Sequence, residues 1–122
     1  MARVNDHDVV RIDVVRCGSE LAVRGELNVH TVADVRIALS AAVDDGVGDL
    51  VLHLGDAEIG DATGLGVIVG AHHRAVRAGR RLVLADASLR LERLMRATGL
   101  HRVIPLSRQL IPQPAILAPG LS

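Results

Sequence analysis

The residues Leu50-Val51-Leu52-His53-Leu54 carry four aliphatic side chains with no polar alternation, and this run narrows the possible folds more than any other stretch of the chain. A segment this short and this apolar is the pattern of a strand buried on both faces, in a parallel or mixed sheet. A polar, glycine-bearing turn from Gly55 to Asp61 comes next. Ala62-Thr63-Gly64-Leu65-Gly66 then opens a helix that is expected to run to about Arg77 and to stop at Gly79. A strand leading to an acid, a hydroxyl and two glycines presents chemistry to solvent or to a partner. The hydroxyl of Thr63 is the candidate.

The rest of the chain supplies neighbours for this unit. Residues 1–8 read as a polar leader. Alternation over 9–15 predicts a strand with Val10, Ile12 and Val14 on one face and Arg11 and Asp13 on the other. A turn at Arg16–Ser19 and a second strand over 20–24 complete an antiparallel hairpin. Thr31 stands in an N-cap position with Asp34 in the capping-box place, and Val32, Val35, Leu39 and Val43 recur at helical spacing up to Asp45-Gly46. In the helix opened by Thr63, the expected inward stripe is Ile68, His72, Ala75 and Val76. Gly66 and Gly70 would allow close approach to the sheet or to another backbone, and Leu65 and Val69 would stay partly exposed.

Arg81–Asp86 reads as another strand. Ser88 caps a third helix with Leu91, Leu94, Met95 and Thr98 on one stripe, a Glu92–Arg96 surface pair, and a Gly99-Leu100 Schellman ending. Residues 103–106 form a last strand, placed at an edge by Pro105, and the proline-bearing tail 107–122 reads as irregular. The order β-β-α-β-α-β-α-β describes one α/β domain over 9–106, a small mixed sheet packed with helices, which right-handed crossovers are expected to place largely on one side or flanking one edge.

Composition removes several function classes. The chain of 122 residues has no Phe, Tyr or Trp, so its core is aliphatic and it lacks the stacking platforms of single-stranded nucleic-acid binders. Residues 1–62 hold 12 acids and 5 arginines, and residues 63–122 hold 9 arginines and 2 acids, but the halves interleave in one fold. The arginines at 90, 93 and 96 read as a solvated helix face, and no direct nucleic-acid contact is expected. Cys17 is the only cysteine, which suits a reducing cytoplasm. There is no basic-then-apolar leader, and no apolar run approaches the roughly 20 residues of a membrane span.

Asp61-Ala62-Thr63-Gly64-Leu65-Gly66, with the strand before it, resembles the Asp-Ser-Ser-Gly-Leu-Gly motif of the STAS domain in bacterial anti-sigma factor antagonists. Gly25-Glu26-Leu27-Asn28 is similar to that family's Gly-Glu-Leu-Asp segment, and Thr98-Gly99-Leu100 to its Thr-Gly-Leu helix ending. The resemblance implies that Thr63 is the phosphoacceptor, with Asp61, Ala62 and Gly64 flanking it, and that Asn28, Thr63, Leu65, Gly66 and Val69 meet the partner. That partner would be an anti-sigma factor with ATP-dependent kinase activity, and a serine/threonine phosphatase would reset the cycle. No cofactor and no catalytic residue are implied. Thr63 stands where Ser is usual, and Asn28 and His53 stand where relatives often carry acids.

Physical chemistry supports the same site. A phosphate adds roughly −1.5 to −2 charge, and a helix N-terminus tolerates an anion well. Attachment would therefore change the surface rather than unfold the domain. The bland reading makes Thr63 an N-cap and nothing more. Two further readings remain: a STAS module never phosphorylated and governed by ligand, redox state or lipid, and a small hydrolase or metal enzyme. Adjacent His72 and His73 point to different helix faces rather than forming an i, i+4 metal pair. No Gly-Lys-Ser/Thr follows the glycines, and no Gly-x-Ser-x-Gly elbow occurs.

Overall fold

In the computed structural model, which describes residues 10–107, the first two strands form the expected antiparallel hairpin. These are β1 (Val10–Arg16) and β2 (Glu20–Leu27). The leader over 1–8 and the tail from 108 onward lie outside the described residues. Helix α1 (Val32–Asp44) is followed by β3 (Asp49–His53), β4 (Ala57–Ile59), α2 (Ala62–Arg77), β5 (Arg81–Ala85), α3 (Leu89–Ala97) and β6 (Leu106–Ser107). The sheet runs β1-β2-β3-β5-β6, with β4 also on β2, and every pairing except β1 with β2 is parallel.

Strand β4 corrects the turn expected over Gly55–Asp61. Its three residues pair with the far half of β2, Gly25 opposite Ala57 and Leu27 opposite Ile59, which also carries β2 beyond Arg24. Three residues are too few for alternation to stand out in the sequence. The pairing matters because it delivers the chain to the start of α2 directly beside the end of β2.

Helices occupy one side of the sheet. Leu21, Val23, Leu50, Leu52, Leu82 and Leu84 share that side, and each is nearly or completely buried in a single aliphatic cluster with Val35 and Leu39 of α1, Ile68 and Ala75 of α2, and Met95 of α3. The alternate residues Ala22, Val51, His53 and Val83 each keep part of their surface in solvent, although Ala85 on the same face is buried. The expectation that Leu50–Leu54 is buried on both faces is thus corrected, since no second helical layer exists among the described residues. On the open side His53 bridges two carboxylates, with Nε2 against Glu20 and Nδ1 3.4 Å from Asp86.

Three further local expectations change. The inward stripe of α2 is Gly64, Val67, Ile68, Ala71 and Ala75, so Val76 points outward at 55 % exposure and His72 lies at the margin. Thr31 precedes α1 but does not cap it. Its buried hydroxyl donates to the Glu26 carbonyl at 2.8 Å and accepts from the Asn28 N–H at 3.0 Å. The strand expected over 103–106 begins only at Leu106, because Gly99 (φ 78°) turns the chain into a 3₁₀ turn over Leu100–Arg102. Ser107, assigned to the tail, belongs to β6. In α3, Ser88 caps through a bond from the Leu91 N–H at 3.1 Å, and Arg96 reaches Glu92 at 3.2 Å.

No local pattern singles out Arg80 in the sequence. Its side chain is buried and donates to the carbonyls of Ala42 (2.8 Å), Val43 (3.0 Å), Gly48 (2.9 Å) and Gly18. These belong to the last turn of α1, the loop after it, and the β1–β2 turn. One guanidinium ties three segments at the end of the sheet away from the start of α2, and meets the carbonyl-rich end of the α1 dipole.

Candidate functional site

The N-terminus of α2 is fixed by Asp61. Its backbone is extended, and its carboxylate accepts the Gly64 N–H at 3.1 Å through Oδ1 and the Val29 N–H at 3.2 Å through Oδ2. One carboxylate therefore caps the helix and anchors the loop after β2. Gly64 brings the two closer still. A Cβ there would lie 2.9 Å from the Leu27 carbonyl carbon and closer to its oxygen, so only glycine lets α2 rest on the end of β2.

With Asp61 as the cap, Thr63 is the second residue of the helix. The bland N-cap reading of Thr63 is thereby corrected. Thr63 is exposed, and its hydroxyl makes no hydrogen bond with any described residue. Its backbone lies in the first turn of a helix of sixteen residues, at the positive end of the dipole.

Ala62 and Gly66 are exposed beside it, and Leu65 and Val69 are half-buried. Of the two approaches expected at Gly66 and Gly70, the one to the sheet is corrected, since a Cβ at either would meet nothing within 4 Å. Asn28 is only 8 % exposed. Its Oδ1 accepts the His30 N–H at 2.8 Å and its Nδ2 donates to Glu26 at 3.3 Å, so Asn28 shapes the loop that turns Val29 and His30 outward. Val29, 60 % exposed and tied to Asp61, joins the site across 32 positions of sequence, a link that local sequence patterns do not carry.

On the opposite flank of α2, a groove of about 570 Å³ runs toward α3. Ile59, Ala62, Leu65 and Leu94 floor it, and Arg90 and Arg93 stand at its rim. Among the described residues, no group of three or more His, Cys, Asp or Glu is arranged to hold a metal ion. His72 and His73 have ring centroids 5.5 Å apart; burial, and then the charge of His73, push the His72 pKa down. No helix among the described residues is long and apolar enough to cross a membrane.

A family model for the STAS domain matches residues 8–110. The chain belongs to the STAS family. Among its STAS relatives, the anti-sigma-B factor antagonist of Bacillus subtilis (strain 168) is 34 % identical over 100 residues, spanning 80 % of this chain and 91 % of that protein. The crystal structure of an anti-sigma factor antagonist from Mycobacterium paratuberculosis superposes with a TM-score of 0.66 at 25 % identity, covering 89 % of each chain. The Bacillus cell fate determinant SpoIIAA in its phosphorylated form gives 0.61 at 18 % identity, covering 81 % of this chain and 91 % of the other. The mixed sheet with its helices is the STAS architecture that the motif at residues 61–66 implied, and the kinship is with anti-sigma factor antagonists.

Proposed function

We infer that this STAS protein is an anti-sigma factor antagonist switched by phosphorylation at Thr63. In its unmodified form, the surface made by Thr63, Leu65, Gly66 and Val69, with the loop that Asn28 shapes, docks an anti-sigma factor with ATP-dependent kinase activity, so that a sigma factor is released. The kinase then transfers the γ-phosphoryl group of ATP to Thr63 Oγ1. The bond to ADP breaks as the new P–O bond forms, and the hydroxyl proton leaves to a base of the kinase. A serine/threonine phosphatase restores the hydroxyl, and the cycle runs in the cytoplasm.

The observation that carries this is the exposed Thr63 hydroxyl, without an internal partner among the described residues, on a helix start clamped by Asp61. Rigid presentation suits a group that must enter another protein's active site. A phosphate there adds about −1.5 to −2 charge beside the Asp61 carboxylate, and the helix dipole keeps the fold intact. The partner must then cover a surface that has become anionic. Incubation with the cognate kinase and ATP, followed by mass spectrometry, is expected to place one phosphate on Thr63. Thr63→Glu is expected to weaken the complex at least about tenfold, the effect of a single unfavourable buried charge. Phosphate found elsewhere, or undiminished transfer to Thr63→Ala, overturns the assignment.

A further inference from the structure

We propose that the groove between α1 and α2 is a second binding site, one that takes a single phosphate group. Arg36 and Ser40 line it from α1, and Arg74 and Arg77 line it from α2. Leu39, Val67 and Ala71, all buried, form its floor. At about 200 Å³ it falls below the roughly 300–1,000 Å³ of sites that hold whole small molecules, and is sized for one tetrahedral anion with its water. An apolar floor beneath guanidinium groups strengthens their attraction for an anion.

Charge is left over for such a ligand. Asp44 pairs with Arg74 Nη2 at 2.9 Å, while Arg36 and Arg77 make no ion pair with any described residue. Asp44 does not satisfy Arg74 well either. Both of its oxygens contact the same nitrogen, and Arg74 Nε is shut away from solvent without an acceptor. A guanidinium offers its strongest bonds as a parallel pair, and a phosphate drawing the Nε–Nη2 edge toward the groove would supply that geometry.

Gly70 is an independent sign. It sits exposed in mid-helix at the lip of the groove, where glycine costs about 1 kcal/mol relative to alanine, yet a Cβ would meet nothing within 4 Å. Packing within the described chain does not account for it. A ligand that needs the mouth of the groove open does.

The test is independent of the kinase. The full chain, labelled with ¹⁵N, is titrated with sodium phosphate at fixed ionic strength, with sodium chloride as the comparator. The Gly70 amide and the Arg74 Nε–H are read by NMR. Saturable shifts with phosphate alone are expected. The Arg36→Gln/Arg77→Gln double variant is expected to bind at least about tenfold more weakly with an unchanged far-UV CD spectrum, and Asp44→Asn to bind more tightly because a competing carboxylate is gone. Glycerol phosphate distinguishes the sources: tighter binding than inorganic phosphate marks an ester as the ligand, and weaker or equal binding marks the free ion. Linear shifts matched by chloride, or a double variant that binds as the parent does, would rule the site out.

Discussion

Replacing Arg80 with methionine keeps most of the side-chain volume and removes every donor. The carbonyls of Gly18, Ala42, Val43 and Gly48 lose a close partner, three of them at 2.8–3.0 Å, and those of Val47 and Asp49 lose a weaker one at 3.4 Å. Bonds from a charged donor contribute roughly 1.5–3 kcal/mol each, so the gross loss exceeds about 6 kcal/mol. Against this, the methionine variant no longer desolvates a guanidinium, a penalty of several kcal/mol. The loop carbonyl of Gly48 can also turn to water, whereas those of Ala42 and Val43 are held in the last turn of α1. A net destabilisation of about 3 kcal/mol is expected, which lowers the melting temperature of a domain this size by about 12–24 °C. With no Trp or Tyr in the chain, the measurement is urea unfolding followed by far-UV CD. Arg80→Lys keeps the charge but not the planar fork, and should fall between the two. A methionine variant within about 0.5 kcal/mol of the parent at an unchanged m-value would refute the idea that this side chain joins the three segments.

Gly64→Ala and Gly66→Ala should move stability in opposite directions. The first forces a Cβ into the Leu27 carbonyl and costs about 1–3 kcal/mol, while the second meets open space and gains about 0.5–1 kcal/mol, both read by thermal melts. Asp61→Ala should cost about 1–2 kcal/mol, as expected of a lost cap, and should speed amide exchange at both Gly64 and Val29; protection kept at Val29 would mean the loop is held by something else. The His72 pKa is depressed by burial, so the unfolded chain binds the proton more readily than the folded one. The stability tied to His72 is present above about pH 6.5, the unfolded value, and is lost as pH falls below it. His72→Gln should flatten that limb of a pH–stability curve, and an unaltered slope would assign it to another group.

Elements long enough to show a period were legible in the sequence. Val32 to Val43 repeated at helical spacing and proved to be α1, and the run at Leu50 marked β3. The phosphoacceptor candidate was legible because its motif is contiguous. Its surroundings were not, because the contacts are distant in sequence: Asp61 reaches Val29, Gly64 needs Leu27, and Arg80 reaches back to Gly18. Thr31 misled for a related reason. A threonine before a helix is an ordinary cap in the sequence, but the end of β2 offered its hydroxyl the Glu26 carbonyl instead. The error over Val76 was one of phase, since a helix of mostly small and apolar residues does not declare which side is covered until the sheet is in place.

The one-sided sheet has a consequence for how such a domain can be built into larger assemblies. Its helix-free face, with His53 between Glu20 and Asp86, lies on the far side of the aliphatic layer from α2. A module or scaffold joined to that face meets sheet residues, whereas contacts at the start of α2 draw on helix and loop residues, so the two surfaces are built from different side chains.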